Sequence, residues 1–385
     1  MSAAKQQTPP RPIPYQLNLE HAEDNETAID SQICENLRHI SETTLKSTGS
    51  PLRSVHAKSH GLLFGQLNVP ENLPAPLAQG LFATPGTYDI IIRLSTTPGD
   101  VLRDAISTPR GMAIKILGVS GPRVTGSEAD NTQDFVLVNG PAFNAPNAGG
   151  FLKSLKLLAP TTNDFEPAKQ LVSAVARGAE AVIEVLGGEN ATLKSLGGHP
   201  ETDMLGDSYY SQTPILYGDY IAKIGVFPTA PGLLARTDSD VKNNGEPNFL
   251  RNLVVDYFMQ HSGSWDLRVQ LCTNIETMPI EDASVIWPEA ESPYLTVGSI
   301  NVPVQDAWTI DKIAAIDEGL SFTPWHALAA HRPLGAVNRA RKSAYEMSAQ
   351  FRTENQHKPV TEPHKLSDLT GGGDIGSPTA YAPRT

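Results

Sequence analysis

Arg341, Tyr345 and Arg352 stand at i, i+4 and i+11 within NRARKSAYEMSAQFR, the stretch from Asn338 to Arg352. This stretch lacks Gly and Pro and is rich in Ala, Arg, Lys, Glu, Met and Gln, which predicts a helix. At about 100° per residue, the first pair is offset by roughly 40° and the second by roughly −20°, so all three side chains share one narrow face. A guanidinium one turn from a phenol favours the phenolate, an anionic ligand. The second arginine is placed to hold a carboxylate on the same ligand. Alone, the stripe also fits a solvated amphipathic helix with incidental arginines. The first half of the chain decides between the two.

There, Arg53-Ser54-Val55-His56-Ala57-Lys58 runs into a strand, and a histidine at that point suits general acid–base work. A lone histidine fits a hydrogen-bonded core position equally well. Arg93-Leu94-Ser95-Thr96 ends a strongly apolar strand, and alternation turns Arg93 and Ser95 to the same face. An arginine there calls for an anion, and a serine there could hold an imidazole by its ring N–H. Thr108-Pro109-Arg110-Gly111-Met112-Ala113 leads into another strand. Asp134-Phe135-Val136-Leu137-Val138-Asn139 ends a buried strand on an amide.

These groups need a framework. Ile29, Ile33, Leu37 and Ile40 have near-helical spacing and predict a helix over 27–47, after a Pro/Gln-rich arm. From Leu62 onward the texture changes. LLFGQLNV, TYDIIIRLST, GMAIKIL and DFVLVN are short β-rich runs separated by Pro/Gly turns, which predict an antiparallel sheet or barrel. Helices are expected over Phe151–Ala159 and about Ala168–Val185. YIAKIGVFP, WDLRVQLCT and YLTVGSINV are further strands. The expected organisation is an arm and helix over 1–47, one main domain over 48–352 and a loose polar tail over 353–385.

Composition bounds the function. The chain has 385 residues, 39% hydrophobic and 19% charged, with a net charge of −12. That is ordinary globular composition, and the acidity argues against nucleic acid or an anionic membrane as partner. Cys34 and Cys272 are the only cysteines, so no disulfide framework is implied and a reducing, cytoplasmic setting is expected. No apolar signal segment and no run of about 18 apolar residues occurs, so no integral membrane segment is expected. Gly371–Gly376 matches a dinucleotide-loop spacing but follows no strand and opens no helix, so it is rejected as such a site. His326 and His331 are expected to be structural or solvated.

In chain order, VHAK, RLST, PRGMAIK, DFVLVNGPAF, VIWP followed by SPYLTVGSINV, SFTP and the final R-x-x-x-Y resemble the haem-catalase superfamily. The resemblance is collinear from about residue 50 to 352. It is closest to the short catalase-like haem-binding proteins, which lack the flavodoxin-like C-terminal domain of large catalases. The resemblance implies an α+β fold: an antiparallel β-barrel with flanking helices and an N-terminal arm. It implies haem b, with Tyr345 as the iron ligand and Arg341 hydrogen-bonded to the phenolate. His56 becomes the distal acid–base group, Asn139 the distal amide and Ser95 the hydroxyl that orients the histidine. Arg53, Arg93 and Arg352 become holders of the haem propionates, and Val55 lines the cofactor beside His56.

The activity implied is that of a catalase or peroxidase acting on hydrogen peroxide or organic hydroperoxides. The alternatives are a hydroperoxide isomerase or dehydratase resembling allene oxide synthase, a biosynthetic haem oxidase, or a non-enzymatic haem-binding protein. A homo-oligomer is compatible with each. The chain departs from the family on both sides of the tyrosine. Lys342-Ser343-Ala344 replaces an apolar and aromatic pattern, and Glu346-Met347-Ser348-Ala349 replaces a usual Asp-Thr-His/Gln run. Phe143 and Phe151 are candidates for packing on the cofactor ring. Relatives that form allene oxides tend to carry Thr just before the distal histidine, and Val55 at that position leans towards peroxide chemistry.

Overall fold

A computed structural model of the protein describes residues 10–159, 200–243, 245–356 and 358–370. The expected helix over Ala168–Val185 and the Gly371–Gly376 stretch lie outside the described residues. Helix α1 spans Glu26–Thr48. Four strands follow: β1 (Ser59–Val69), β2 (Gly86–Thr96), β3 (Arg110–Ile116) and β4 (Gln133–Val138). After helix α2 (Ala148–Leu158) come β5 (Tyr209–Tyr210), β6 (Ile215–Tyr217) and β7 (Tyr220–Pro228). Helix α3 (Phe249–Phe258), β8 (Gly263–Leu271), β9 (Leu295–Val302) and helix α4 (Ala336–Gln356) complete the main elements.

The strands join antiparallel in the order β5-β4-β3-β2-β1-β9-β8-β7-β6, and a β5–β7 pairing closes the ring. The result is a closed eight-stranded barrel, with β6 paired to β7 outside the closure. Closure removes the unpaired edges that an open sheet would expose.

Strand β2 shows how sequence sets the two faces. Ile90, Ile92 and Leu94 are fully buried in the barrel core, with Leu63, Ile114, Val226 and Val297 among their cluster. Each such side chain contributes about 1.5–3 kcal/mol by leaving water. The alternate residues Ile91, Arg93 and Ser95 face outward yet are also buried. The outer face is therefore covered, which is why this strand reads as a nearly continuous apolar run rather than a strict alternation.

Part of the cover is a helical layer. Ile33, Leu37 and Ile40 of α1, Leu152 and Leu155 of α2, and Ala340 and Ala344 of α4 form one apolar cluster, with Val55 packed against it. The start of α4 is capped by carboxylates from distant parts of the chain: Ala336 N–H donates to Glu281 Oε2 at 2.7 Å and Gly335 N–H to Glu20 Oε2 at 3.4 Å. Negative groups suit a helix N-terminus. Helix α3 was not expected from the pattern. It packs on β1, where a Cβ on Gly61 would lie 2.6 Å from Val254 Cγ1.

The polar C-terminal stretch, expected to be loose, docks in part. Glu362 bonds to Lys115 on β3 and accepts from Thr132 Oγ1 at 2.7 Å. None of the helices among the described residues is long and apolar enough to cross a membrane.

Candidate functional site

The segment before β1 places His56. Its backbone is left-handed, with φ of 53°, which costs a residue with a Cβ on the order of 1 kcal/mol. Its N–H donates to Thr97 O at 2.8 Å, and Arg93 Nη2 donates to its carbonyl at 2.8 Å. The ring then lies against the barrel wall, with Nδ1 at 3.0 Å from Ser95 Oγ. Ser95 pairs in register with Gly111 of β3. Only glycine fits at that position: a Cβ on Gly111 would sit 2.5 Å from His56 Cε1 and 2.6 Å from Nδ1. Burial, then the charges of Arg93, Arg341 and Arg53, pushes the His56 pKa down to about 3. The ring is therefore neutral at ordinary pH.

Asn139 follows β4 and is tied at both ends of its amide. Its Oδ1 accepts from Arg110 N–H at 2.8 Å and its Nδ2 donates to Asp207 Oδ2 at 2.7 Å. Burial raises the Asp207 pKa, against the pull of Arg110.

On α4, the shared face of Arg341, Tyr345 and Arg352 looks onto the same region. Arg341 Nη1 donates to Thr213 Oγ1 at 3.1 Å and to Asn338 Oδ1 at 3.3 Å, and its guanidinium lies 5.4 Å from the Phe143 ring centroid. Burial lowers its pKa, and the neighbouring Tyr345 pulls the other way. Phe143 and Phe151 pack on each other, with centroids 5.4 Å apart.

A cavity of about 470 Å³ separates the barrel's outer face from the helices. Val55, His56, Thr97, Val138 and Asn139 line it on the barrel side. Ile33, Leu37, Phe151, Ala340, Arg341 and Tyr345 line it on the helix side. A smaller space of about 70 Å³ is also lined by His56 and Tyr345, and it reaches Arg53, Arg93, Ser95 and Arg352. The larger volume suits a small organic cofactor or ligand.

Arg53, Arg93 and Arg352, far apart in the chain, converge on one segment. Arg53 Nη1 and Arg93 Nε both donate to Asp317 Oδ1, at 2.9 and 2.8 Å. Arg352 Nη1 reaches the carbonyls of Asp317 and Glu318, and its Nη2 that of Leu320. Two guanidiniums meet one carboxylate, the third bonds to main-chain carbonyls of the same turn, and the buried Arg352 Nε has no hydrogen-bond partner. Such a cluster suits a ligand bearing two carboxylates.

All nine residues singled out from sequence therefore line one or both of these two spaces, which share His56 and Tyr345, although Arg341 bonds to Thr213 and Asn338 rather than showing a hydrogen bond to Tyr345. Sequence reasoning missed Asp317, Asp207, Thr213 and the role of Gly111. Only Gly111 carried a signal, as a glycine at the head of an apolar strand.

A second polar cluster lies apart. Lys115 Nζ donates to both oxygens of Asp134 at 2.8 and 2.9 Å and to Glu362, and lies 3.1 Å from His326 Nδ1. The ammonium fills the centre of this group, which otherwise has metal-ligand chemistry. His331 is a buried core residue that accepts from Leu81 N–H at 2.9 Å.

The fold is similar to that of solved catalases. A fungal catalase determined at 1.9 Å has a TM-score of 0.56 and 17% identity, covering 89% of this chain and 70% of its own. Catalase A from Saccharomyces cerevisiae has a TM-score of 0.56 and 17% identity, covering 96% of this chain and 77% of its own. A bacterial catalase has a TM-score of 0.52 and 16% identity, covering 92% and 67%. No protein-family model and no curated protein matches the sequence. At such identity the likeness establishes a shared catalase-like fold.

Proposed function

We propose that the protein is a haem-dependent oxidoreductase of catalase or peroxidase type, acting on hydrogen peroxide or organic hydroperoxides. The observation that carries this reading is that two neighbouring spaces share a serine-held His56 and Tyr345 in their linings, and the smaller reaches the three-arginine cluster. The donor set fits haem b. Tyr345 would be the iron ligand, with the Arg341 charge nearby to favour the phenolate. Arg53, Arg93 and Arg352 would hold the two propionates, for which the unpartnered Arg352 Nε leaves a donor. Val55, Val138 and Phe143 would supply apolar contact.

Bound haem would supply the redox chemistry that accepts oxygen from a peroxide. The chain's own residues would handle the proton and the geometry. His56, neutral because of burial and the adjacent arginines, would take a proton from the peroxide's near oxygen and return it to the far one, so that water leaves from hydrogen peroxide, or an alcohol from an organic hydroperoxide. Ser95 would hold Nδ1, so Nε2 would be the atom that exchanges the proton. Asn139, tied to Arg110 and Asp207, would orient the peroxide. The apolar lining from Ile33, Leu37, Phe143, Phe151, Ile286 and Val337 is compatible with an organic hydroperoxide as well as hydrogen peroxide.

The test is an absorption titration of the purified protein with haem b. Oxygen evolution and donor oxidation are then measured on adding hydrogen peroxide or an alkyl hydroperoxide. A one-to-one complex with a tyrosinate-type spectrum and peroxide turnover is expected. Failure to bind haem overturns the reading; a haem complex that consumes no peroxide leaves a binding protein.

A further inference from the structure

The three-arginine cluster is organised by a carboxylate that the proposed chemistry does not use. Asp317 Oδ1 accepts three hydrogen bonds, from Arg53 Nη1 at 2.9 Å, Arg93 Nε at 2.8 Å and Ser59 Oγ at 2.7 Å. Asp317 lies on Ile313–Glu318, a π-helical turn anchored by Ile316 in a cluster with Leu62, Phe64 and Ile91. Widened turns of this kind are frequent at functional sites. Burial opposes ionisation of Asp317, but Arg93 and Arg53, with the Ser59 hydrogen bond, hold its carboxyl well below the usual range. It is a fixed negative charge.

Arg93 has two ends with different tasks. Its Nε is bound by Asp317, and its Nη2 donates to the carbonyls of His56 at 2.8 Å and Ala57 at 3.5 Å. The His56 peptide is the one in the left-handed conformation. That conformation is unfavourable on its own and must be imposed by its surroundings. The Arg93 contact is one of the two hydrogen bonds that grip this backbone unit; Thr97 O makes the other. A line of bonds thus runs from Asp317 through Arg93 to the histidine backbone.

We propose that Asp317 is a positioning residue for His56: its carboxylate fixes the Arg93 guanidinium, which grips the His56 carbonyl and sets the ring against Ser95. The inference rests on the proposed function only in taking His56 as the proton carrier. The orientation itself needs no bound cofactor. Simple charge compensation is the competing role for Asp317. It would act on Arg53 and Arg352 as well, and so would persist without Arg93.

A double-mutant cycle separates the two roles. Full-length protein carrying ¹⁵N-labelled histidine is prepared without haem as wild type, Asp317→Asn, Arg93→Met and the double variant. The His56 ring signals are assigned by their loss in His56→Gln. Their nitrogen shifts report the tautomer and the Ser95 hydrogen bond. Asp317→Asn is expected to shift them, and to do nothing further in the Arg93→Met background. In haem-loaded protein, a displacement of about 1 Å at His56 should cost up to about 100-fold in peroxide turnover. Unchanged His56 signals in Asp317→Asn, or an equal shift in both backgrounds, overturns the proposal. If Asp317→Asn fails to fold, Ser59→Ala removes a single donor to Asp317. It should give a smaller shift that also vanishes in Arg93→Met, and the same two outcomes overturn the proposal. A wild type that takes up no haem would defeat the functional reading alone, because the ring signals still decide the positioning role.

Discussion

Replacing Gly111 with alanine tests the geometry of the candidate site while leaving every side chain assigned a chemical role in the sequence. The added Cβ would stand 2.5 Å from His56 Cε1, 2.6 Å from Nδ1 and 2.9 Å from Ser95 Oγ. Carbon atoms in van der Waals contact sit about 3.5–4.0 Å apart, so the ring must retreat by about 1 Å or more. Gly111 belongs to β3, held by ladders to β2 and β4, so the barrel backbone cannot yield instead. Retreat breaks or lengthens the 3.0 Å bond to Ser95. A catalytic group misplaced by about 1 Å costs about 100-fold in rate. Gly111→Ala should therefore bind haem as the wild type does but consume peroxide about 100-fold more slowly in stopped-flow single turnover. In a His56→Ala background the substitution should cost little more, because there is no ring left to displace. Turnover within about threefold of wild type, or an equal loss in both backgrounds, would refute the idea that Gly111 makes room for a working histidine.

Four further outcomes are expected. Tyr345→Phe should lose haem or convert its absorption spectrum to a non-tyrosinate form, and an unchanged spectrum removes Tyr345 as the ligand. Arg341→Leu should release haem more readily at mildly acid pH; retention curves that superimpose on wild type reject a role for that charge. Because the folded His56 pKa is about 3 against the ordinary 6.5, its contribution to stability is full above 6.5 and is lost as pH falls towards 3; acid unfolding of His56→Gln should be flatter over that window, and peroxide turnover should show no His56 limb above about pH 5. Lys115→Met leaves Asp134 and Glu362 without their shared ammonium and should cost about 3–5 kcal/mol in denaturant unfolding, a change under about 1 kcal/mol being incompatible with the buried cluster.

The same cluster carries a pH signature of the opposite sign. Burial and Lys115 disfavour the His326 cation, but hydrogen bonds to Asp134 and Glu362 outweigh them and raise its pKa to about 9. Its contribution is complete below 6.5 and disappears as pH rises through 9. Against burial, Lys115 and His326 hold Glu362 down to about 2, so its own contribution is lost as pH falls from 4.5, and the docked stretch is tied to the barrel most firmly between about 4.5 and 6.5.

Much of the framework was legible locally. The alternation in TYDIIIRLST set Ser95 and Arg93 on one face, and the 3.6-residue period set Arg341, Tyr345 and Arg352 on one helix stripe. Both follow from backbone geometry within a single element, which needs no partner to be read. The β-rich runs and Pro/Gly turns likewise announced antiparallel strands, and the resemblance added closure into a barrel. Helix α3 escaped because FLRNLVVDYF mixes β-branched and aromatic residues, and its helical state is decided by packing on β1 at Gly61. Asp317 escaped for a deeper reason. Nothing in IAAIDEG distinguishes it from a surface acid, and it becomes a hub only when the fold brings Ser59, Arg53, Arg93 and Arg352 to it from separate elements. The left-handed turn at His56 and the bare Cα of Gly111 beside its ring belong to the same class. Which side chains share a face could be read along the chain, because that is a property of helix and strand periodicity. The tertiary structure alone decided which faces meet, because closure of the barrel and docking of the helices set distances between residues that no local period relates.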